Sequence, residues 1–436
     1  MSEAEIAAAL DDWITGHAIR FDPDDDGSVR DAIGKWVKAL DDAVGLLGFP
    51  EPLHGGDAFL SLRNRAICHL VTVHGFRSVA IESSFPRGWV TNRWVAGEGS
   101  DDASSIATTG FSHGAGHVTA NVELVTWLRA HNAGRPEQDR VRFYGFDTPT
   151  ENGPTDSPRG SLAPVLALLD DAEPAAAERW RTLLDRLIGD DARWEHPSTL
   201  VDPSRSPGRS PAADALRHAV QDLVTDLRIH APCLVAATEP DRYDVALHAA
   251  EAARDLLTYH RELANGAGSD ASRFERLQGI RDRAMADHLT WISDRERARG
   301  RTLVFSHQEH LRQGENLIAF GDGTCRWWRA GSHLRRTLGH RYVPVGGGLV
   351  QSDANGIGRA APGTLEDQLA GDGHATLIPA APIRWAVDAI AALVPVRSRS
   401  ATNATYRPMT ARDLVEFDWL LVLPDSDLTR SAPAAD

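Results

Sequence analysis

The amino-acid sequence predicts an α/β fold, a mostly parallel central sheet flanked by helices, with a large helical insertion forming a lid or side wall. Three observations lead there. Short runs rich in Val, Ile, Leu and Phe alternate with longer segments of helical period. Between two of these runs, 141–146 and 302–306, lies a long stretch that carries helical period alone. The chain has 436 residues, 42% of them hydrophobic, enough to bury a large core.

The elements follow in order. An acidic segment with Asp22, Asp24 and Asp26 precedes a helix over 28–40, where its charge favours the helix N-terminus. Strands are predicted at 44–48, 78–83 and 141–146, with a helix over 118–131 before the third. The segment Ser100 to Gly110 is polar and reads as a loop. The insertion opens with TPTENGPTDSPRG, contains the breaker-rich HPSTLVDPSRSPGRSP, and otherwise reads as helices over 162–169, 175–188, 213–228, 244–263 and 272–297. The last of these leads back into strands at 302–306, 342–346, 375–378 and 419–423. The expected division is a first part of the α/β core with N-terminal helices (1–150), the helical insertion (151–270) and a second part of the core (271–436).

Composition removes several functions. Acidic residues outnumber Lys plus Arg by 61 to 46, a net charge of −15, which disfavours nucleic acid as a partner. Lys35 and Lys38 are the only lysines, so a P-loop or Schiff-base enzyme is set aside. Cys68, Cys233 and Cys325 are scattered and odd in number, which suits a reducing, cytoplasmic setting and neither a disulfide framework nor a CxxC zinc site. Cys68 falls on the apolar face of a helical segment and reads as core. Early acids replace the basic region of an export signal, and no apolar run is long enough to span a membrane.

In open α/β sheets ligands bind beyond the carboxyl ends of the strands. Here those ends are rich in ionisable groups: Glu51 and His54 after the first run, Glu82 after the second, Asp147 after the third, His307 and His310 after the fourth. Such a set suits general acid–base chemistry on a bound water. Glu51 and His54 have the ExxH spacing of di-iron bundles, but Pro50 and Pro52 preclude the helix that motif needs, and no metal or other cofactor is expected. Gly110, Ser112 and Gly114 satisfy the G-x-S-x-G nucleophile elbow formally, yet no buried strand precedes them; the glycine-rich loop instead offers His113 and His117 to a cleft. The acids at 22, 24 and 26 begin like an EF-hand, but Ile33 stands where the bidentate Glu belongs. The glycines at 346–348 suggest close backbone approach without a nucleotide fingerprint.

Read in series, these stretches resemble the erythromycin esterase family. A GExTHG-like loop appears at 51–55, and an Arg nine residues beyond its His is Arg63. An ALEA-like strand holds Glu82, a GFD motif lies at 145–147, and an RDRxMAxN-like helix at 281–288. An AHNxH-like motif at 306–310 and a closing strand at 417–422 complete the order. The resemblance implies metal-independent hydrolysis of an ester or lactone of a natural product. His54 would be the general base for water, Glu51 and Glu82 would orient and tune it, and Arg63 would position substrate or stabilise oxyanion charge. His307 and His310 would complete the site, with His113, His117, Asp147 and His288 placed toward substrate. Ser306, Gln308, His288 and the GFSHGAGH segment depart from the family pattern, which predicts a more polar pocket than a macrolide requires. The expected partner is a small molecule or short peptide. The alternative reaction for the same His and Glu is elimination, dehydration or cyclisation on a peptide or other biosynthetic intermediate. A non-catalytic binding protein is the reading from another class.

Overall fold

Every predicted apolar run overlaps a strand of the computed structural model, which describes residues 2–150, 155–267, 269–320, 323–370 and 373–427. The strands are β1 (Ile19–Phe21), β2 (Leu46–Glu51), β3 (Phe76–Ser84), β4 (Arg142–Asp147), β5 (Arg301–His307), β6 (Glu315–Phe320), β7 (Gly323–Trp328), β8 (Tyr342–Val343), β9 (Val345–Gln351), β10 (Ala375–Pro379) and β11 (Trp419–Asp425). Five form a wholly parallel sheet in the order β4-β3-β5-β2-β8. The run at 342–346 divides at Pro344, which has no N–H to give a ladder, and continues into a second sheet, β1-β10-β11-β9. There β9 and β11 are parallel, and β10 runs antiparallel to both of its neighbours.

The central sheet is buried on both faces, which is why its strands read as continuous apolar runs. One face packs Phe49, Ile81 and Phe305 with Phe59, Leu62 and Leu70 of the helix Asp57–Val73. The other packs Ala80, Tyr144 and Val304 with Met285, Leu289 and Ile292 of the helix Asp270–Glu296. The remaining insertion helices, Pro158–Ala172, Pro174–Ile188, Pro211–Ile229, Ala231–Ala237 and Pro240–Leu263, share a separate apolar core joined by Phe85. They stand behind Asp270–Glu296, which faces β4, β5 and the hairpin β6–β7 on its other side. The opening of the insertion at 151–154 lies outside the described residues.

Local physics corrects one expectation. The polar segment before Gly110 is largely a helix, Ala103–Gly110, and not a loop. Asp102 caps it by accepting from the Ser105 amide, while Thr108 and Thr109 donate to carbonyls one turn back, so hydroxyl-rich sequence is absorbed without leaving the helix. The hairpin β6–β7, a separate two-stranded sheet, and the short β1 are additions to the strands that the apolar runs predict. The glycines at 346–348 lie inside β9, where side chains at 346 and 348 would collide with Phe417 and Met409. At the N-terminal acids, Asp25 caps Asp26–Lys38 by accepting from the Ser28 amide. Among the described residues no helix is long and apolar enough to cross a membrane.

Candidate active site

Parallel register brings the ionisable strand ends together. Glu51 of β2 stands opposite His307 of β5, and Ile81 of β3 opposite Phe305. Beyond Ile81 the pairing of β3 with β4 is interrupted before Ser84, an irregularity of the kind that re-aims a strand-end side chain. The residue re-aimed here is Glu82. A cavity of about 560 Å³ lies over these ends and is lined by Glu51, His54, Arg63, Glu82, His113, His307 and His310.

His54 sits on a turn after β2. Its amide donates to Thr405 Oγ1 (2.9 Å), its carbonyl accepts from Asn403 Nδ2 (2.9 Å), and Gly55 follows at φ +84°, a conformation that favours glycine. The imidazole Nδ1 is 2.8 Å from Glu51 Oε2, and the ring is half exposed to the cavity. Its Nε2 has no hydrogen-bond partner among the described residues. Burial lowers the pKa of this imidazole, but the Glu51 carboxylate, with Glu82 beyond it, raises it further, to about 9.

His307 lies 4.9 Å from His54, ring centre to ring centre, yet has the opposite character. Its Nε2 lies 3.0 Å from the Thr405 carbonyl and its Nδ1 accepts from the Glu309 amide, so the fold fixes a neutral tautomer. Burial, reinforced by repulsion from His54, drives its pKa down to about 3. This ring positions; it has no nitrogen free to take a proton.

Behind the two imidazoles runs a chain of buried charges. Glu82 accepts from the His307 amide (2.7 Å), Ser306 Oγ (2.9 Å) and Arg281 Nη2 (3.1 Å), with His310 Nε2 at 3.4 Å. Burial disfavours its ionised form, but His310 and Arg281 hold its pKa well below the ordinary value. Arg281 also forms a two-pronged pair with Asp147 (2.9 and 2.6 Å), and Asp147 receives His113 Nε2 at 3.0 Å. His310 Nδ1 is 2.6 Å from Asp282, whose other oxygen accepts from Trp327 Nε1 (2.6 Å). Burial opposes the charged form of His310, and Asp282 with Glu82 restores it, so its pKa is raised. His113 is the one described non-glycine residue at positive φ (58°), a strained backbone of the kind that clusters at functional sites.

Arg63 is fully buried under the cavity floor, its guanidinium 4.5 Å above the Phe305 ring. It donates to Asn64 Oδ1 and the Ala120 carbonyl, while Nη1 has no partner among the described residues. Burial lowers its pKa to about 10.

Not every expected residue reaches the cavity. Asp147 is buried behind it and acts through Arg281 and His113. His117 is exposed and lies outside the lining, because the short turn Ala115–His117 carries it past the cleft. His288 is buried in the helical layer, stacked on Phe85 and 2.8 Å from His248, and is not a substrate contact. Ser112 is no nucleophile: it is buried, its Oγ accepting from the Ser84 amide. The expectation of a more polar pocket holds on one side of the cavity and not on the other. His113 and Gly114 do line one side, but Phe274, Ile318 and Trp327 supply an apolar wall. Sequence reasoning gave no role to Arg281, Asp282 or Arg407; the available signal was an Arg-Asp pair within an otherwise core-facing helix.

Comparison with known proteins bears on the family and the fold. The Erythromycin esterase family profile matches residues 71–424. Erythromycin esterase type II of Escherichia coli is 23% identical over 352 residues, covering 77% of this chain and 76% of the relative. Among solved structures, one from Bacillus cereus superposes with a TM-score of 0.71 at 15% identity over 98% of both chains. A succinoglycan biosynthesis protein gives 0.69 at 14% identity, again over 98% of both. A histidine-to-asparagine mutant of the erythromycin esterase EreC, in its open conformation, gives 0.63 at 15% identity over 90% of this chain and 93% of that one. On a profile match spanning most of its length, this chain belongs to the erythromycin esterase family.

Proposed function

We propose that this protein is a metal-independent hydrolase of the erythromycin esterase type, acting on an ester or lactone of a natural product with His54 as general base. The observation that carries this reading is the Glu51–His54 pair at the cavity. Nδ1 is held by a carboxylate at 2.8 Å, and the opposite nitrogen is left for a water. In this reading water gives a proton to Nε2 as its oxygen attacks the carbonyl carbon. The oxyanion forms toward the buried, unpartnered Nη1 of Arg63, and the imidazolium then protonates the departing alkoxide. The sum is ester plus water giving acid plus alcohol. Glu51 supports the imidazolium as it forms, and Glu82, fixed by Arg281 and His310, keeps the surrounding field negative.

Mass spectrometry of the protein with macrolides, simple lactones and aryl esters tests the proposal, each beside His54→Ala. The expected result is a ring-opened product heavier by one water from a lactone, or an acid and an alcohol whose masses together exceed the ester by one water, with turnover roughly 10²–10⁴-fold lower in the variant, whose thermal melt stays intact. A product formed without gain of water would replace hydrolysis by elimination or cyclisation. Undiminished hydrolysis by His54→Ala would remove the general base.

A further inference from the structure

Three arginines line the cavity, and they differ in how their charge is met. Arg281 is neutralised by Asp147 and Glu82. Arg63 and Arg407 have no ion pair among the described residues. Arg63 faces the reacting centre from beneath. Arg407 comes from a different place, the segment that closes the cavity from the C-terminal side. The same segment fixes both catalytic-side imidazoles: Thr405 Oγ1 accepts from the His54 amide, and the Thr405 carbonyl meets His307 Nε2. Arg407 is anchored by its own amide donating to the Pro52 carbonyl, and its guanidinium donates to the Ala404 and Tyr406 carbonyls. Those acceptors orient the group without cancelling its charge.

Three of the four described carboxylates that line the cavity are already committed, and the fourth, Asp57, lies out in solvent. Glu51 holds His54, and Glu82 accepts from Arg281, the Ser306 hydroxyl and the His307 amide. Glu309, which attracts Arg407, accepts from Arg312 (2.8 Å) and Arg329 (3.0 Å). Partial burial and the neighbouring Arg399, Arg312 and Arg329 disfavour the Arg407 cation, so the fold keeps it at a cost. A cation retained against burial, oriented and left without a carboxylate, suits a ligand that brings the missing negative charge. The apolar wall of Phe274, Ile318 and Trp327 completes the shape of a site for a molecule with one hydrophobic side and one anionic end.

We propose that Arg407 is a specificity-determining residue that binds a permanent anionic group, carboxylate or phosphate, on the substrate, while Arg63 serves the scissile carbonyl. This rests on the hydrolase reading above and adds the substrate class: acidic esters or lactones, in preference to neutral or cationic ones. The planar guanidinium can engage two oxygens of either anion at once.

The test compares aryl esters whose acyl chain ends in a carboxylate with the same esters capped as methyl esters, and with phosphate-ended and ammonium-ended analogues. Wild-type protein is expected to favour the anionic members by roughly 10- to 100-fold in kcat/KM, the scale of one charge-assisted contact. The carboxylate and phosphate arms show which anion is preferred. In Arg407→Gln the ratio of acidic to capped ester should collapse toward one through KM, with kcat on the acidic ester retained. Arg407→Lys should keep part of the preference, and Arg407→Glu should transfer it to the ammonium ester, which a merely structural arginine would not do. Equal kcat/KM for acidic and capped esters in wild type, or parallel loss on both in Arg407→Gln, would overturn the proposal. If no ester is hydrolysed at all, the hydrolase reading has failed, and calorimetry of the same compounds still decides this one. Tighter binding of the acidic than the capped compound, lost in Arg407→Gln, would sustain the anionic subsite; equal binding would reject it.

Discussion

The contrast between His54 and His307 shows how little a residue type says about its protonation. Two imidazoles 4.9 Å apart are driven in opposite directions, one to about 9 by a carboxylate against Nδ1, the other to about 3 by burial and its neighbour's charge. The sign of the consequence for catalysis is definite. A base must be neutral to accept a proton, so kcat/KM should rise with pH and level off above about 9. In Glu51→Gln the midpoint should move toward the ordinary histidine value, while the plateau falls because the imidazolium formed during the reaction loses its partner. A pH–rate profile of both proteins checks this. A wild-type profile flat from about pH 6 to 10 would exclude His54 as the base.

Among the elements, the helix Phe85–Val95 depends on a missing side chain. Its Gly88 meets β4 at Gly145 so closely that a Cβ would fall 2.1 Å from the Gly145 nitrogen. β4 ends at Asp147, the carboxylate that holds Arg281 and His113. Gly88→Ala should therefore push the helix outward, lower stability by about 1–3 kcal/mol or more, and loosen the charge chain along with it. The expected observation is a lower melting temperature and a lower kcat/KM together; an unchanged melt would mean that this contact is not tight. The helix Asp270–Glu296 ties sheet to cavity in the same way. One stretch of it packs Met285, Leu289 and Ile292 on the central sheet, another offers Phe274, Gln278 and Arg281 to the cavity.

For the whole molecule, buried histidines set the response to acid. His248, His260, His288 and His307 all have pKa values lowered by burial, the last three to about 4, about 4 and about 3. Below the unfolded value of 6.5 the unfolded chain binds protons that the fold refuses, so stability falls as pH drops from about 6.5 toward 4. The depressed carboxylates Glu82, Asp147 and Glu309 add to the loss at lower pH, since their contribution is present above the ordinary carboxylate value and disappears as pH falls through the folded one. His54 and His310, with raised values, act oppositely, stabilising below 6.5 and losing that contribution as pH rises. Half-exposed His54 counts for less because solvent screens it. Melting temperatures measured from about pH 8 to 4 should decline steadily below about 6.5; a constant value down to about pH 4.5 would mean that these imidazoles are protonated in the folded state.

By itself the sequence determined most of the strands, the largely parallel character of the central sheet, and the ionisable groups that end its strands, whereas β1, the hairpin β6–β7 and the mixed second sheet came from the structure. Apolar runs, helical period and the residue that follows each run are local properties, carried by neighbours in the chain. Their positions in the chain therefore suffice to put Glu51, His54, Glu82, His307 and His310 at one rim, and the family resemblance adds Arg63. Only the tertiary structure decided how those groups are charged and which others join them. Arg281 reaches Asp147 and Glu82 from a helix far away in the chain, Asp282 closes the chain through His310, and Arg407 arrives from beyond β10. His117 and His288, plausible by type and spacing, leave the site because one short turn and one buried helix face point elsewhere. The physical reason is the same in each case: protonation, ion pairing and access depend on burial and on partners distant in sequence, and no spacing along the chain encodes either.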